Sequence, residues 1–417
     1  MTMRRHAASA VAVLFLTLVL AQGVAAQNVT LSYITPLWNE DVQKWFNDVA
    51  VPRFEALHPG VRVEVSYAVW GDLHAKIVAA AASGVGPDVY VTIGEGGAKG
   101  DGENGLALAL DEYVAGWDAL NDFIPAALET QRSGGHLYAI PNTLNLRTYV
   151  VNRNLFEQAG LNPEAPLGDW PSFLEIVGRL NPMLGPAGKS GFRANLNFYF
   201  EQVMNEAGAP WLGEDGLLHM DTPGARAAIN HLLAMWSLGG PETRMFVQQG
   251  GAANDMRDNK AAMAWIDIQQ VGEVARGIGR EMIAIPDPVR SMAVMPATGL
   301  AITATSKHPH LAWEWIAFLS EPENLTTFNA LLVRIPPRIS TLRAGPVGDD
   351  PILQRGAEVA ARFGRPVELS NRFGTIANIR NQAQARLFEM FNGVKGPEQV
   401  AREIELVWAA RVTSQQP

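Results

Sequence analysis

Residues 137–161 read LYAIPNTLNLRTYVVNRNLFEQAGL, and this stretch decides the fold. A short apolar run stops at Pro141 and Asn142. Alternation of apolar and polar residues resumes at 146–151, which predicts a strand with one buried face, and an amphipathic helix follows at 155–159. A strand that stops at a proline and then restarts is typical of a segment that crosses from one domain into another.

Alternating strands and helices precede and follow this stretch. The pattern predicts strands at 29–34, 61–67, 87–93, 259–266 and 300–304, and helices at 42–57, 72–82, 171–180, 192–208, 222–236, 309–319, 381–391 and 399–412. Strand–helix–strand order at this spacing predicts parallel pairing with right-handed crossovers. Ligands bind beyond the carboxyl ends of strands in such sheets. That rule indicates Trp38, Trp70 and Glu95 as candidate ligand contacts.

The composition is that of a globular protein with more than one core. The chain has 417 residues, of which 47% are hydrophobic and 18% charged, and a chain of this length usually divides into domains. It contains no cysteine, which excludes disulfides, thiolate catalysis and cysteine metal sites. The formal net charge of −9 argues against nucleic acid or an anionic membrane surface as a partner.

The first 26 residues resemble a secretory signal peptide. Arg4 and Arg5 form a basic start, an apolar run covers 11–20, and the small residues at 24–26 form a cleavage site. No cysteine follows the apolar run, so a lipoprotein anchor is not expected. The segment predicts export to the periplasm, and its removal would make the net charge more negative by two units.

Catalytic signatures are missing from the sequence. It has no Gly-x-Ser-x-Gly, no His-Glu-x-x-His and no P-loop, so we expect a binding protein without an enzymatic activity, cofactor or metal. A pair of glycosidase carboxylates stays open, because acidic residues are plentiful. The glycine-rich run GEGGAKGDGENG at 94–105 predicts a flexible surface loop, since its acidic residues would repel a pyrophosphate and lack calcium-loop spacing.

Several motifs in one order resemble a known family. They are PRFE at 52–55, HPGVRV at 58–63, WGD at 70–72, ASGVGPDV at 82–89, the central stretch, DW at 169–170, NKAAMA at 259–264, TGLAI at 298–302, AWEWIAFL at 312–319 and IPPR at 335–338. Together they look like the extracellular solute-binding proteins of sugar-type ABC importers, the maltose-binding-protein-like family 1.

The resemblance implies an α/β fold of the two-lobed periplasmic-binding-protein type (type II-like), in which each lobe is a sheet flanked by helices. Two or three hinge crossings would join the lobes, and closure would clamp a solute for delivery to the permease subunits in the membrane. Breaks at prolines 141, 296, 336 and 337 predict an N-terminal lobe of 27–141 plus 297–333 and a C-terminal lobe of 142–296 plus 334–417, in a monomer.

The candidate ligand contacts come from strand ends and predicted crossings. Where many relatives have a tryptophan, this chain has Asp267-Ile268-Gln269, and Thr298 stands where many have glycine. The full set is Trp38, Trp70, Glu95, Asn142, Asn145, Asn195, Asn197, Asp267, Gln269, Thr298, Arg338 and Arg372.

This set is rich in rings, amides and acids, which favours a neutral hydroxylated solute such as a mono- or oligosaccharide. Arg147, Arg338 and Arg372 keep open an anionic solute such as a sugar phosphate or glycerol phosphate. A secreted carbohydrate hydrolase and a surface adhesin are also compatible with the sequence.

Overall fold

The structure is a computed structural model, and it describes residues 29–93, 97–209, 218–239, 245–247, 251–294, 297–342, 348–365 and 376–413. The predicted signal peptide, Glu95 and Arg372 lie outside these residues. None of the described helices combines the length and the apolar composition that a membrane-spanning helix requires.

Strands within these ranges, in chain order, are β1 Val29–Pro36, β2 Val61–Ala68, β3 Val89–Val91, β4 Arg132–Ser133, β5 His136–Leu137, β6 Ile140–Leu144, β7 Arg147–Asn152, β8 Arg193–Asn195, β9 Phe246–Val247, β10 Met263–Asp267, β11 Ile283–Ala284, β12 Ala293–Val294, β13 Ala297–Ile302 and β14 Gly364–Arg365. They form two main sheets. The first has the order β2-β1-β3-β13-β6, and the second has the order β14-β12-β7-β10-β8-β9 with β11 also paired to β7.

Helices flank both sheets. They are α1 Glu40–Trp45, α2 Val51–Leu57, α3 Trp70–Ala82, α4 Gly97–Glu103, α5 Asp111–Val114, α6 Pro125–Glu129, α7 Arg153–Gln158, α8 Trp170–Leu184, α9 Leu196–Glu206, α10 Pro223–Gly239, α11 Gly251–Arg257, α12 Val271–Ile278, α13 Pro309–Leu319, α14 Pro322–Leu332, α15 Pro351–Phe363, α16 Ile376–Phe391 and α17 Pro397–Thr413. A π-helical turn, Phe46–Ala50, joins α1 to α2. The predicted α/β class, with each sheet flanked by helices, is confirmed, and both main sheets are mixed.

Each sheet has its own core. In the first, Leu31, Tyr33 and Val89 pack against Trp315 of α13. In the second, Tyr149 of β7 belongs to a cluster with residues of α8, α9 and α10. Parallel pairing of β1 with β2 and β3 is as predicted. The two sheets therefore form separate α/β layers, as in a two-lobed protein.

The predicted strand break at Pro141 is wrong. Strand β6 runs through this proline to Leu144, and Pro141 pairs with Gly299 of β13 where the register shifts. The strand tolerates proline because β6 lies at the edge of the first sheet. An edge strand has a neighbour on one side only, so the missing N–H of proline does not remove a hydrogen bond to a second strand. The chain passes from the first sheet to the second at Asn145 and Leu146, between β6 and β7. The boundaries of the lobes stay a prediction.

Two further elements differ from the predictions. The predicted loop at 94–105 contains helix α4, whose Asp101 is buried and accepts hydrogen bonds from His74 Nε2 (2.7 Å) and the Tyr90 hydroxyl (3.0 Å). Gly102 lies against the Tyr138 ring, where a Cβ atom would lie 2.4 Å from a ring carbon. The predicted helix at 192–208 begins with strand β8. Contacts from distant parts of the chain decide both cases.

Candidate functional site

The carboxyl ends of the strands place the candidate residues on two facing sheet edges. In the first sheet, β1 and β2 end just before Trp38 and Trp70, on the side where β6 ends at Leu144 and β13 begins at Ala297. We call this the first edge, defined by these four residues. The pairing of β7 with β10 and β12, and of β10 with β8, places Arg147, Asn195, Asp267 and Val294 together, which we call the second edge.

Two short connections join these edges. One runs from Leu144 to Arg147. The other joins Val294 to Ala297 through residues 295 and 296, which lie outside the described residues together with the predicted break at Pro296. A third link is the bridge between Leu144 and Ile335, in which the Leu144 N–H donates to the Ile335 carbonyl at 2.9 Å. The candidate site therefore lies where three segments cross between the lobes, at the strand ends where open α/β sheets bind ligands.

The first edge is aromatic. The Trp38 and Trp70 rings meet edge to face, with centroids 5.2 Å apart and an interplanar angle of 83°. Trp38 is 5% exposed, and its Nε1 donates to the Thr35 hydroxyl at 2.7 Å, whereas Trp70, the first residue of α3, is 40% exposed. Trp70 therefore keeps part of its ring open to solvent, and the buried ring of Trp38 packs against it.

The second edge is polar. Asp267 Oδ1 accepts hydrogen bonds from Asn145 Nδ2 at 3.1 Å and from Arg147 Nε at 2.9 Å. Arg147 and Asp267 are directly opposite in β7 and β10, so the sheet register itself positions the ion pair. Asp267 also caps the 3-10 turn Ile268–Gln270. The structure thus brings together Asn145 and Asp267, two predicted ligand contacts that lie 122 residues apart in the chain.

Arg334 connects the two edges, and the sequence pattern did not single it out. Its Nε donates to Gln269 Oε1 at 2.8 Å, and its guanidinium carbon lies 5.1 Å from the Trp38 ring centroid. Burial lowers the pKa of Arg334 to about 10, and the charge of Asp267 opposes that shift. One available signal was its place directly before the predicted crossing at 335–338.

The position of Arg334 depends on an unusual helix end. Helix α14 ends at Leu332, and its C-cap residue, Val333, adopts a left-handed conformation with φ 54° and ψ 46°. The Arg334 N–H then donates to the Asn329 carbonyl at 2.9 Å. A β-branched residue in this conformation costs roughly 1–2 kcal/mol, which the surrounding contacts must offset. The turn directs the chain from α14 into the crossing segment.

The start of α9 brings amide, aromatic and guanidinium groups together. Asn195 caps the helix by accepting from the Asn197 N–H at 3.1 Å, and Asn197 Nδ2 donates to Asn381 Oδ1 at 2.8 Å. Phe198 contacts two guanidinium groups, since the guanidinium carbons of Arg147 and Arg380 are 4.0 and 4.9 Å from its ring centroid.

A buried ion pair stands directly beside this ring. Arg380 of α16 pairs with Glu201 of α9 at 2.7 Å, and both side chains are buried. A charge pair held out of water depends on good geometry and further hydrogen bonds. This pair therefore ties α16 to α9 behind the second edge.

The other candidates hold the crossing segments together. The Thr298 hydroxyl donates to Asn142 Oδ1 at 2.6 Å, and Asn329 Nδ2 donates to the Asn142 carbonyl at 2.9 Å. Both Asn142 and Thr298 are buried. Arg338 Nε donates to Asp122 Oδ2 at 2.8 Å and its Nη1 donates to the Ser320 carbonyl at 2.8 Å. These contacts anchor Arg338 to the helical layer of the first sheet.

Two surface cavities lie away from these edges. One of about 540 Å³ is lined by residues of α10 and α17, including Arg226 and Arg402. Another of about 690 Å³ lies around Trp170 and Arg290. We place the candidate site at the two edges and not in these cavities, because strand ends and converging polar groups are better indicators of a ligand site than cavity volume. In the described part of the chain, no three His, Asp or Glu residues could hold a metal ion together.

Two α/β layers joined by crossing segments, with aromatic and polar side chains on facing edges, define a two-lobed binding protein. Residues 38–326 match the family described as bacterial extracellular solute-binding protein, and the chain belongs to this family, as its motifs indicated. A binding protein of Brucella abortus (strain 2308) is 25% identical over 281 residues, which are 65% of this chain and 67% of that protein.

Solved structures share the fold. The sugar-binding protein MalE from Xanthomonas citri superposes with a TM-score of 0.79 over 93% of this chain and all of its own, at 17% identity. An ABC transporter solute-binding protein from Thermotoga lettingae, bound with α-D-tagatose, has a TM-score of 0.71 at 18% identity over 92% and 99% of the two chains. At these identities the likeness establishes the two-lobed fold.

Proposed function

We propose that this chain is the substrate-binding component of an ABC importer and takes up a small hydroxylated solute of the saccharide class. The observation that carries the proposal is the facing pair of edges, one with an exposed ring at Trp70 and one with converging polar groups at Asn145 and Asp267. Saccharides have C–H faces that stack on rings and hydroxyls that bond amides and carboxylates. The sugar-binding protein of Xanthomonas citri, which shares the fold, supports this class of ligand.

The remaining parts of the proposal follow from the sequence. Residues 1–26 act as a cleaved signal peptide, and the mature chain works as a monomer in the periplasm, without a lipid anchor, cofactor or metal. The lobes comprise 27–141 with 297–333, and 142–296 with 334–417. Glu95, Asn142, Asn195, Asn197, Gln269, Thr298, Arg338 and Arg372 complete the proposed ligand contacts or hold the crossings that carry them. The permease subunits receive the closed, liganded form.

Closure of the lobes is part of the proposal. A ligand shifts a protein toward a closed form only if it binds that form better than the open one. Groups from both edges must then contact the same solute. We expect small-angle scattering to show a smaller radius of gyration at saturating ligand, and an unchanged radius would contradict hinge closure.

A thermal-shift screen of sugars, polyols and their phosphates, run on the chain without residues 1–26, tests the ligand class. A ligand at 100 times its dissociation constant stabilises the folded state by about 2.7 kcal/mol, which such a screen detects. Calorimetry then measures the affinity, and chromatography of the recovered ligand shows whether it is intact. Hydrolysed saccharide would favour a glycosidase, and a complete lack of small-molecule binding would favour an adhesin.

A further inference from the structure

Arg334 differs from Arg147 and Arg380 in the kind of partner it has. Arg147 bonds the carboxylate of Asp267, and Arg380 bonds the carboxylate of Glu201. Arg334 instead bonds the neutral amide of Gln269. Among these three arginines, Arg334 is therefore the one whose described hydrogen-bond partner carries no charge.

An arginine bonded to an uncharged amide stands out in a chain of net charge −9. Asp267 attracts Arg334 through space, but its Oδ1 already accepts from Arg147 and Asn145. Water solvates a partly buried guanidinium less well than an exposed one, so a further anion beside it gains more attraction than it would in bulk solvent.

The orientation of Arg334 leaves its outer face available. Trp38 lies against the guanidinium, and Nε is used by Gln269. Among the described residues, neither Nη group has a hydrogen-bond partner, and neither is completely shielded from solvent. Two parallel N–H donors in a fixed plane match the two oxygens of a carboxylate or phosphate.

We propose that the solute is an acidic saccharide, and that the Nη groups of Arg334 bind its carboxylate or phosphate while the exposed ring of Trp70 contacts its sugar face. This proposal rests on the proposed function and narrows its ligand class. The predicted ligand contacts, which do not include Arg334, favour a neutral solute. Adding Arg334 to them reverses that prediction.

Matched ligands test the proposal with the unmodified binding site. Calorimetry compares D-glucose, D-galactose and D-mannose with their uronates and their 6-phosphates, under one set of buffer and salt conditions. We expect at least one acidic member to bind 10-fold or more tightly than its neutral parent. Neutral sugars that bind as well as their acidic forms would overturn this inference and leave the proposed function standing. If no member of the panel binds, this inference is overturned, and the wider screen of sugars and polyols decides the proposed function.

Substitution assigns the effect to one side chain. Arg334→Gln should weaken the acidic ligand about 10–100-fold, the range of charge-assisted hydrogen bonds, and leave its neutral parent unchanged. Arg334→Lys should lie between the two, because it keeps the charge and loses the planar fork. The matched control is Arg276→Gln, which removes the same charge from an exposed position on α12 and should not change affinity. An equal loss for acidic and neutral ligands, or no loss, would contradict the proposal.

The pH dependence of binding separates the two anions. A sugar 6-phosphate gains a proton near pH 6, so its affinity should fall between pH 7.5 and pH 5.5, whereas a uronate stays ionised and should keep its affinity. Melting temperatures of the unliganded variants show whether each is folded. If Arg334→Gln does not fold, the ligand panel on the unmodified chain still decides the question.

Discussion

The first and second edges occupy equivalent places in their sheets and differ in how their side chains are held. At the first edge, Trp38 and Trp70 hold each other through ring packing, and Trp38 is almost completely buried. At the second edge, Asp267, Asn145 and Arg147 hold each other through directional hydrogen bonds. The first arrangement depends on the packing of rings and the second on charge and hydrogen-bond geometry. Substitutions at the two edges should therefore affect stability and binding in different ways.

The largest effect is expected from Trp38→Ala. The side chain is buried among Trp70, Phe328 and Arg334, so its removal leaves a cavity and should lower the free energy of unfolding by roughly 3–5 kcal/mol. Urea denaturation measures the loss. A variant as stable as the parent would show that Trp38 is not part of the core and would remove the contrast between the edges.

Behind the second edge, α9 carries a buried acid whose titration should affect stability. Burial raises the pKa of Glu206 to about 7, although Gln202, Trp170 and Tyr149 donate hydrogen bonds to it. The unfolded carboxyl ionises near its ordinary value, so the folded state binds more protons between that value and pH 7. Stability should therefore fall as pH rises through this window, by on the order of 3 kcal/mol.

Comparison with Glu206→Gln isolates this effect. The variant has no ionisation at this position, so the parent should lose stability relative to it as pH rises from 4.5 to 7, with no further change above pH 8. Urea midpoints at half-unit intervals of pH give the difference. Parallel curves for the parent and the variant would show that Glu206 does not titrate in this range.

Asp267→Ala tests the second edge directly. It removes the acceptor of Asn145 and Arg147 at a site that is mostly out of water, so we expect a loss of about 2 kcal/mol in the free energy of unfolding. The matched control is Asp258→Ala, whose exposed carboxylate pairs with Arg257 and Lys260 and should leave the urea midpoint unchanged. Equal losses in the two variants would mean that the second edge is solvated like ordinary surface.

Trp70→Ala should separate binding from stability. The ring is 40% exposed, so its removal should cost less stability than removal of Trp38, and it should weaken ligand by roughly 1–3 kcal/mol if the sugar stacks on it. Calorimetry with the ligand found in the screen measures this change. Unchanged affinity together with a large loss of stability would reverse the roles of the two tryptophans.

Val333→Gly should have the smallest effect and the opposite sign. Glycine adopts the left-handed conformation without the steric cost that valine has, which should stabilise the folded chain by up to about 1 kcal/mol, less the added entropy of the unfolded state. Because the backbone turn is kept, Arg334 should stay in place and ligand affinity should not change. A loss of affinity would indicate that the rigidity of Val333 itself positions Arg334.

Local pattern was enough to predict most elements of the fold. Strands β1 and β2, helices α3, α8 and α13, and the motifs of the family all follow from periodicity and turn residues within short windows. These features depend on near neighbours in the chain, so a single sequence contains the information for them. The same windows place Asn145 and Asp267 at strand ends, although 122 residues separate them.

Only the tertiary structure decided which side chains are covered and which are paired. Pro141 stays in a strand because β6 is an edge strand, and Asp101 lies in a helix because His74 and Tyr90 satisfy it when buried. The burial of Trp38 depends on Trp70 and Phe328, and the placement of Arg334 depends on Gln269, 65 residues away in the chain. Burial and pairing are properties of neighbours in space, and those neighbours come from positions far apart in the chain, beyond the reach of any local pattern.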